Sequence, residues 1–363
     1  MEDLMSQSFE YVFPSIKGRQ AGREYYISMC PLGLIPKIFL FDEVELSPEL
    51  RAQRYLNKNR IPEIARYIVN NEENYVFSAL TASIDSEVTF EPVEMQANIG
   101  SLHIPMTAKF IINDGQHRRA AIEVALNEKP DLAKETIAVV FFLDPGLQRC
   151  QQMFADLNQY AIRSAKSLNV LYDKRDKLSH ITRNVVFKLP IFKTLVDLEK
   201  TNLSLRSRKL FTLSSVNTAN RALLKNVIDD ESIDHQKIAL QFWEEIIKSF
   251  PDWERVYQNE LAASEVRTDF LHTHGIILQA LGQIGAELLM KDIPFTNSFS
   301  GLKKVDWSRA NNPIWEGVAM VNGRVSKSST HVQASTIYLK MVLGLDVSAA
   351  EKELLRKVSK YKK

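Results

Sequence analysis

The order of apolar and polar positions divides this chain into a strand-rich first part and a helical remainder. Tyr11, Val12 and Phe13, then Tyr25, Tyr26 and Ile27, are aromatic and β-branched runs on either side of a polar, glycine-containing segment, which predicts a hairpin. Lys17, Arg19 and Arg23 make its tip basic, suited either to a DNA backbone or to plain solvent. An apolar loop between Pro31 and Pro36 leads into a strand expected at residues 37–41. From Ser47 the spacing turns helical, with Ser47 as cap and Pro48 in the first turn; further on, Ile61, Ile64, Ala65 and Ile68 share one helix face.

Residues 76–84 and 101–112 read as strands with a polar loop at 91–94 between them, and residues 137–143 as a third strand, ended by Asp144, Pro145 and Gly146. Helical spacing then takes over, at 148–157, 165–172, about 216–227, 238–253 and 269–289. Gly282 and Gly285 in the last of these suit close packing, and Asn322-Gly323 signals a hairpin. Strands mixed with helices, followed by helices, predict an α+β protein. The expected division is an α/β domain over residues 1–160 and a mainly helical domain over residues 161–363.

Composition narrows the classes. A chain of 363 residues with 45% hydrophobic content can bury a large core, and a net charge of +2 leaves any nucleic-acid surface to a local patch. Two cysteines, Cys30 and Cys150, make no disulfide framework and fit a reducing cytoplasm. No apolar run approaches the roughly 18 residues of a membrane span, and the first ten residues lack the regions of a signal peptide. Cys30 is either a buried apolar thiol or a reactive one, and nothing beside it in sequence lowers its pKa.

The most informative stretch is residues 110–126. Phe110 to Ile112 read as the end of a buried strand, Asn113, Asp114 and Gly115 as a turn, and Ala120, Ala121, Val124 and Ala125 as the inward face of a helix. His117, Arg118 and Arg119 thus fall at a helix N-terminus, where unpaired N–H groups and the macrodipole already favour an anion, so a phosphate is expected there. A solvated basic turn, with Arg119 paired to Glu123, is the alternative.

Asp114-Gly115-Gln116-His117-Arg118 is letter for letter the motif that names the DGQHR domain, which is similar to the ParB N-terminal and sulfiredoxin fold. The chain resembles the DndB family of bacterial DNA phosphorothioate (sulfur) modification systems within that group. Arg54 with the segment 60–68, Phe154 to Asn158, and Asn312 to Gly317 carry the resemblance over nearly the whole length. It implies a ParB/sulfiredoxin-like N-terminal fold and a nucleotide or phosphate site at Gly115, Gln116, His117, Arg118 and Arg119, with Arg54 opposite. Asp156 matches a phosphate- or metal-touching position only in part. Sulfiredoxin's reactive cysteine is replaced here by Gln116, so that chemistry is not expected.

Residues 201–228 hold Arg206, Arg208, Lys209, Arg221 and Lys225 and no acidic residue. A basic loop, a cap over Thr212 to Ser215 and a helix carrying Asn217, Asn220 and Arg221 suit phosphate and base-edge contacts, so these residues form the expected DNA surface. The resemblance implies a DNA-binding regulator, a transcriptional repressor, acting on promoter DNA of the modification genes. Association with other modification proteins or with further copies of the chain is left open. The alternative is an enzyme hydrolysing ATP or another NTP with Mg, or nicking DNA, with Asp114 and His117 as candidate catalytic groups. Binding without turnover fits these residues better than fast catalysis. His272 and His274 do not share a helix face and lack zinc-ligand neighbours, so no metal site is expected.

Overall fold

The computed structural model describes residues 9–39, 58–147, 149–159, 165–310 and 312–359. The chain is mixed α+β, a large sheet being followed by a helical C-terminal half. It divides into two compact units, Met1–Ile162 and Arg163–Lys363.

The predicted hairpin forms from β1 (Glu10–Gln20) and β2 (Arg23–Pro31), paired from Ser15↔Ser28 to Gln20↔Arg23. Ala21 and Gly22 turn the chain with φ of 49° and 78°, the two positive values whose twist matches the flanking strands. Its basic tip is partly neutralised, since Lys17 lies 3.6 Å from Glu24. The strand expected at 37–41 is instead a short helix, α1 (Ile35–Ile38), at its described part. Pro36 in its first turn supplies the helical φ, and Ile35, Ile38 and Phe39 are drawn into the core. The helix expected from Ser47 lies outside the described residues.

Beyond it come α2 (Ile61–Val69), β3 (Leu80–Asp85), β4 (Thr89–Val93), β5 (Gln96–Pro105), β6 (Lys109–Asp114), α3 (Gln116–Glu128), β7 (Thr136–Leu143) and α4 (Cys150–Gln159). Two expectations change. The 91–94 loop belongs to β4, which pairs antiparallel with β5, and the single strand at 101–112 is two, separated at residues 106–108. The seven strands run β4-β5-β1-β2-β7-β3-β6, antiparallel except for β3 beside β7. Ile68 and Val69 of α2 and Ile122 and Ala125 of α3 join Val139, Phe141 and Leu80 of the sheet in one apolar core. Val124, expected inward, is 41% exposed, and its place on the buried face goes to Ile122 and Arg119.

In the second unit, α5 (Lys166–Tyr172), α6 (Lys177–Lys188) and α7 (Pro190–Leu195) lead to α8 (Leu213–Leu224). Thr212 caps α8 as expected, its side chain accepting from the Ser215 N–H in a capping box. Proline breaks the expected 238–253 helix into α9 (His235–Ser249) and α10 (Pro251–Tyr257). A separate α11 (Ala263–Asp269) comes first, and the helix expected at 269–289 starts six residues later, as α12 (Gly275–Met290). The chain continues with α13 (Asn312–Trp315), a hairpin turning on Asn322 and Gly323, α14 (Ser329–Val342) and α15 (Ala349–Ser359).

α8 and α12 are the centre of this unit. A Cβ on Gly282 would stand 2.3 Å from the Ala219 carbonyl oxygen, and one on Gly285 would stand 2.6 Å from Leu223. The two glycines thus let the helices approach to backbone contact. Around them Phe242, Trp243 and Trp253 are fully buried.

Candidate functional site

The DGQHR turn joins β6 to α3. Gly115 adopts φ 110°, and a Cβ there would stand 2.4 Å from a Leu80 methyl, so both the conformation and the space demand glycine. The Gln116 side-chain amide turns back and donates to the Ile112 carbonyl at 3.0 Å, which fixes the start of the helix. Below it, the buried Asn113 amide donates to the Ser83 hydroxyl at 2.8 Å and ties β6 to β3.

Both guanidinium groups work inside the unit. Arg118 donates to the Ser78 carbonyl at 2.7 Å, to the Ser78 hydroxyl, to the Ala79 carbonyl at 3.1 Å, and to Asp114 at 2.8 Å. Arg119 is 5% exposed and donates to the Phe39 carbonyl at 2.9 Å, the Pro36 carbonyl at 3.0 Å, and Glu123. Charge at a helix N-terminus has to be compensated, and here two carboxylates and carbonyl oxygens from distant segments do it. The expectation that an external anion is required for these two arginines is corrected on this point. Asp114, a candidate catalytic group, is paired with Arg118.

His117 is half-buried, and its pKa is held below the usual imidazole range, first by burial and then by the Arg60 charge. Arg60, at the foot of α2, is thus the cation that the fold brings near the turn. Arg54 lies outside the described residues. Asp156 accepts from Gln152 one turn earlier on α4 at 2.7 Å. Cys30 is wholly buried, and burial pushes its thiol up to about 12, which leaves it protonated and unreactive at neutral pH. Cys150 is also wholly buried, its thiol donating to the Leu147 carbonyl at 3.2 Å.

The structure separates the expected DNA residues into two groups. Asn217 and Asn220 cannot read base edges, because both are buried in the core of the second unit. The Trp243 indole donates to Asn220 Oδ1 at 2.7 Å, Asn220 donates to the Thr182 hydroxyl at 2.9 Å, and Thr182 donates to Asn217 at 2.8 Å. Both asparagine side chains, the indole N–H and the Thr182 hydroxyl are thus engaged with one another. Packing against α6 and α12 leaves α8 only the stripe of Thr218, Arg221 and Lys225 in solvent, with Arg221 3.7 Å from Asp176.

Arg206 and Arg208 are exposed and enter no ion pair among the described residues. Lys209 is half-buried and donates to the Thr194 carbonyl at 2.6 Å. The loop carrying them is fastened from beneath by a residue that sequence reasoning missed. Arg267 of α11 donates to the Ser204 carbonyl at 2.8 Å, the Leu205 carbonyl at 3.3 Å, the Ser207 carbonyl at 2.9 Å, and the Lys209 carbonyl. No local signal marks Arg267, since its acceptors are about sixty positions away.

A family model for DndB, described as DNA-sulfur modification-associated, matches residues 13–346 of the 363. The chain belongs to the DndB family. Membership connects it with DNA sulfur modification systems, and the match includes both the DGQHR turn and the basic loop. No curated protein and no solved structure matches the chain. Among the described residues, no helix of this DndB-family chain is long and apolar enough to cross a membrane, and no group of three or more His, Cys, Asp or Glu could hold a metal ion.

Proposed function

We propose that this DndB-family chain is a DNA-binding regulator, a cytoplasmic repressor of DNA phosphorothioate-modification genes, and that the loop at residues 201–210 meets the DNA backbone. The observation that carries the reading is the pairing of exposed with restrained groups in that loop. Arg206 and Arg208 stand in solvent, no acidic residue occurs from 201 to 228, and Arg267 holds the loop backbone at four carbonyls. A loop already ordered loses little conformational entropy when it meets phosphate, so its charges act at low cost. The family's connection with DNA sulfur modification supplies the biological setting. Of the two candidate groups of the hydrolase or nickase reading, Asp114 is tied to Arg118.

The test is titration of labelled promoter fragments with the full chain at two salt concentrations. Arg206→Ala with Arg208→Ala should weaken binding to cognate and random DNA alike and flatten the salt slope by roughly 0.9 for each phosphate no longer neutralised. Unchanged affinity at both salt concentrations would remove the loop from the interface.

A further inference from the structure

The second unit contains a cavity of about 570 Å³, walled in part by the 201–210 loop and Arg267. Its wall carries four cationic side chains, Lys166, Arg267, Arg309 and Lys327, and no aspartate or glutamate. That is a strong local bias in a chain with 46 basic and 44 acidic residues. Arg267 and Arg309 are held by carbonyl oxygens, Arg309 by Thr268 at 3.0 Å and Gly323 at 3.4 Å. Carbonyls fix the guanidinium groups without cancelling their charge. Lys166 and Lys327 are exposed and form no ion pair among the described residues.

Two long helices begin at this cavity, α8 at Leu213 and α12 at Gly275, and a Cβ on Gly275 would stand 3.5 Å from that of Ser215. The α8 terminus is closed by its capping box, whereas no side chain caps α12. Gly275 and Ile276, the first residues of α12, line the cavity. Just before them Thr273 also lines it, only 6% exposed, and its hydroxyl has no hydrogen-bond partner. A buried hydroxyl without a partner is uncommon in folded proteins and points to a missing ligand oxygen. The field is visible on a neighbouring group. His274 is held down at about 4, first by burial and then in part by Arg309 and Lys327, although its Nε2 lies 3.0 Å from the Arg267 carbonyl. Burial does most of this, and the smaller part that comes from Arg309 and Lys327 is a positive potential that also attracts an anion.

We infer that this cavity binds a phosphate monoester of about nucleotide size, with the phosphate taken by the first turn of α12, the Thr273 hydroxyl, Lys166 and Lys327. The volume lies in the range of small-molecule sites and exceeds what a phosphate fills, and Leu203, Phe211 and Val332 offer apolar wall for the remainder of the ligand. The ligand is either a free nucleotide or the phosphorylated end of a DNA strand, which share this chemistry. The cavity shares Arg267 and part of the 201–210 loop with the promoter reading, but Arg206 and Arg208 are not in its lining, so the two can be tested apart.

Calorimetric titration of the full chain with dAMP, and separately with inorganic phosphate, tests it. Saturable dAMP binding is expected, weakened at least about tenfold by Lys166→Ala with Lys327→Ala and also weakened by Thr273→Val, with circular dichroism unchanged. Arg206→Ala with Arg208→Ala should leave dAMP affinity as it is, which separates this result from the fate of the promoter reading. Competition by a 5′-phosphorylated oligonucleotide, but not by its 5′-hydroxyl counterpart, would assign the strand end as the ligand. Competition by neither would assign the free nucleotide. No saturable binding of dAMP or phosphate, or equal affinity in the lysine double variant, overturns the inference.

Discussion

The Arg118 guanidinium donates to the Ser78 carbonyl oxygen at 2.7 Å, joining residues 40 positions apart. This bond, with those to Ala79 and Asp114, anchors the start of α3 to the segment that enters β3. Arg118→Ala should therefore destabilise the first unit by about 2–4 kcal/mol, since it leaves two carbonyl oxygens and a carboxylate without their donor. Arg118→Lys should recover only part of this, because one ammonium cannot span acceptors that a planar fork reaches together. Urea unfolding of both variants reads the effect. Wild-type stability in Arg118→Ala would show that the side chain is not a structural fastening.

Asn220 is the second fastening to test. Asn220→Ala should cost about 2–4 kcal/mol, because it strands the Trp243 indole N–H in the core and removes the donor to the Thr182 hydroxyl, which keeps only its bond to Asn217. A double-mutant cycle with Trp243→Phe should return a coupling of about 1–2 kcal/mol. DNA affinity of the folded Asn220→Ala protein should match wild type. A specific loss on cognate DNA alone would restore the base-reading role that burial argues against.

Arg267→Ala removes the restraint on the 204–209 segment and leaves its cations in place. Trypsin, which cleaves after arginine and lysine, should then cut at Arg206, Arg208 or Lys209 at least about tenfold faster than in the native protein. DNA affinity should fall as well, because a disordered loop has to be ordered on binding. Equal cleavage rates in the two proteins would show that the loop is held by other bonds.

Two histidines of the second unit set an acid dependence of its stability, as His117 does in the first. Burial holds His272 below its ordinary value, against the pull of Asp252, and holds His274 down at about 4 from 6.5. Below pH 6.5 the unfolded chain takes up protons that the folded chain refuses. Stability is therefore full above that pH and falls as pH drops towards 4, by at most about 1.4 kcal/mol per unit for each histidine. The urea midpoint should decline between pH 7 and pH 5, above the range where carboxylates titrate. His274→Asn should flatten the decline, and an identical slope in that variant would rule His274 out as a source.

Local pattern determined much of this protein from the sequence alone. The β1–β2 hairpin follows from aromatic and β-branched runs on either side of a polar, glycine-containing segment, the α8 cap from the Thr212 to Ser215 stretch, and the close helix approach from Gly282 and Gly285. Each depends on residues within a few positions of one another, or on a side chain too small to be replaced. The DGQHR turn was equally legible as a strand, a glycine and a helix start. Which acceptors its arginines use was decided only by tertiary structure, because Phe39, Pro36 and Ser78 reach them from 40 or more positions away. The same holds for Asn217 and Asn220, polar residues that any local reading turns toward solvent. The core spends them on Trp243 and Thr182, since a buried indole N–H and hydroxyl need partners more than a surface needs two amides. Sequence marked the basic loop by its lack of acidic residues. The tertiary structure added Arg267 beneath it and the carboxylate-free cavity beside it, both built from segments that meet only in the folded chain.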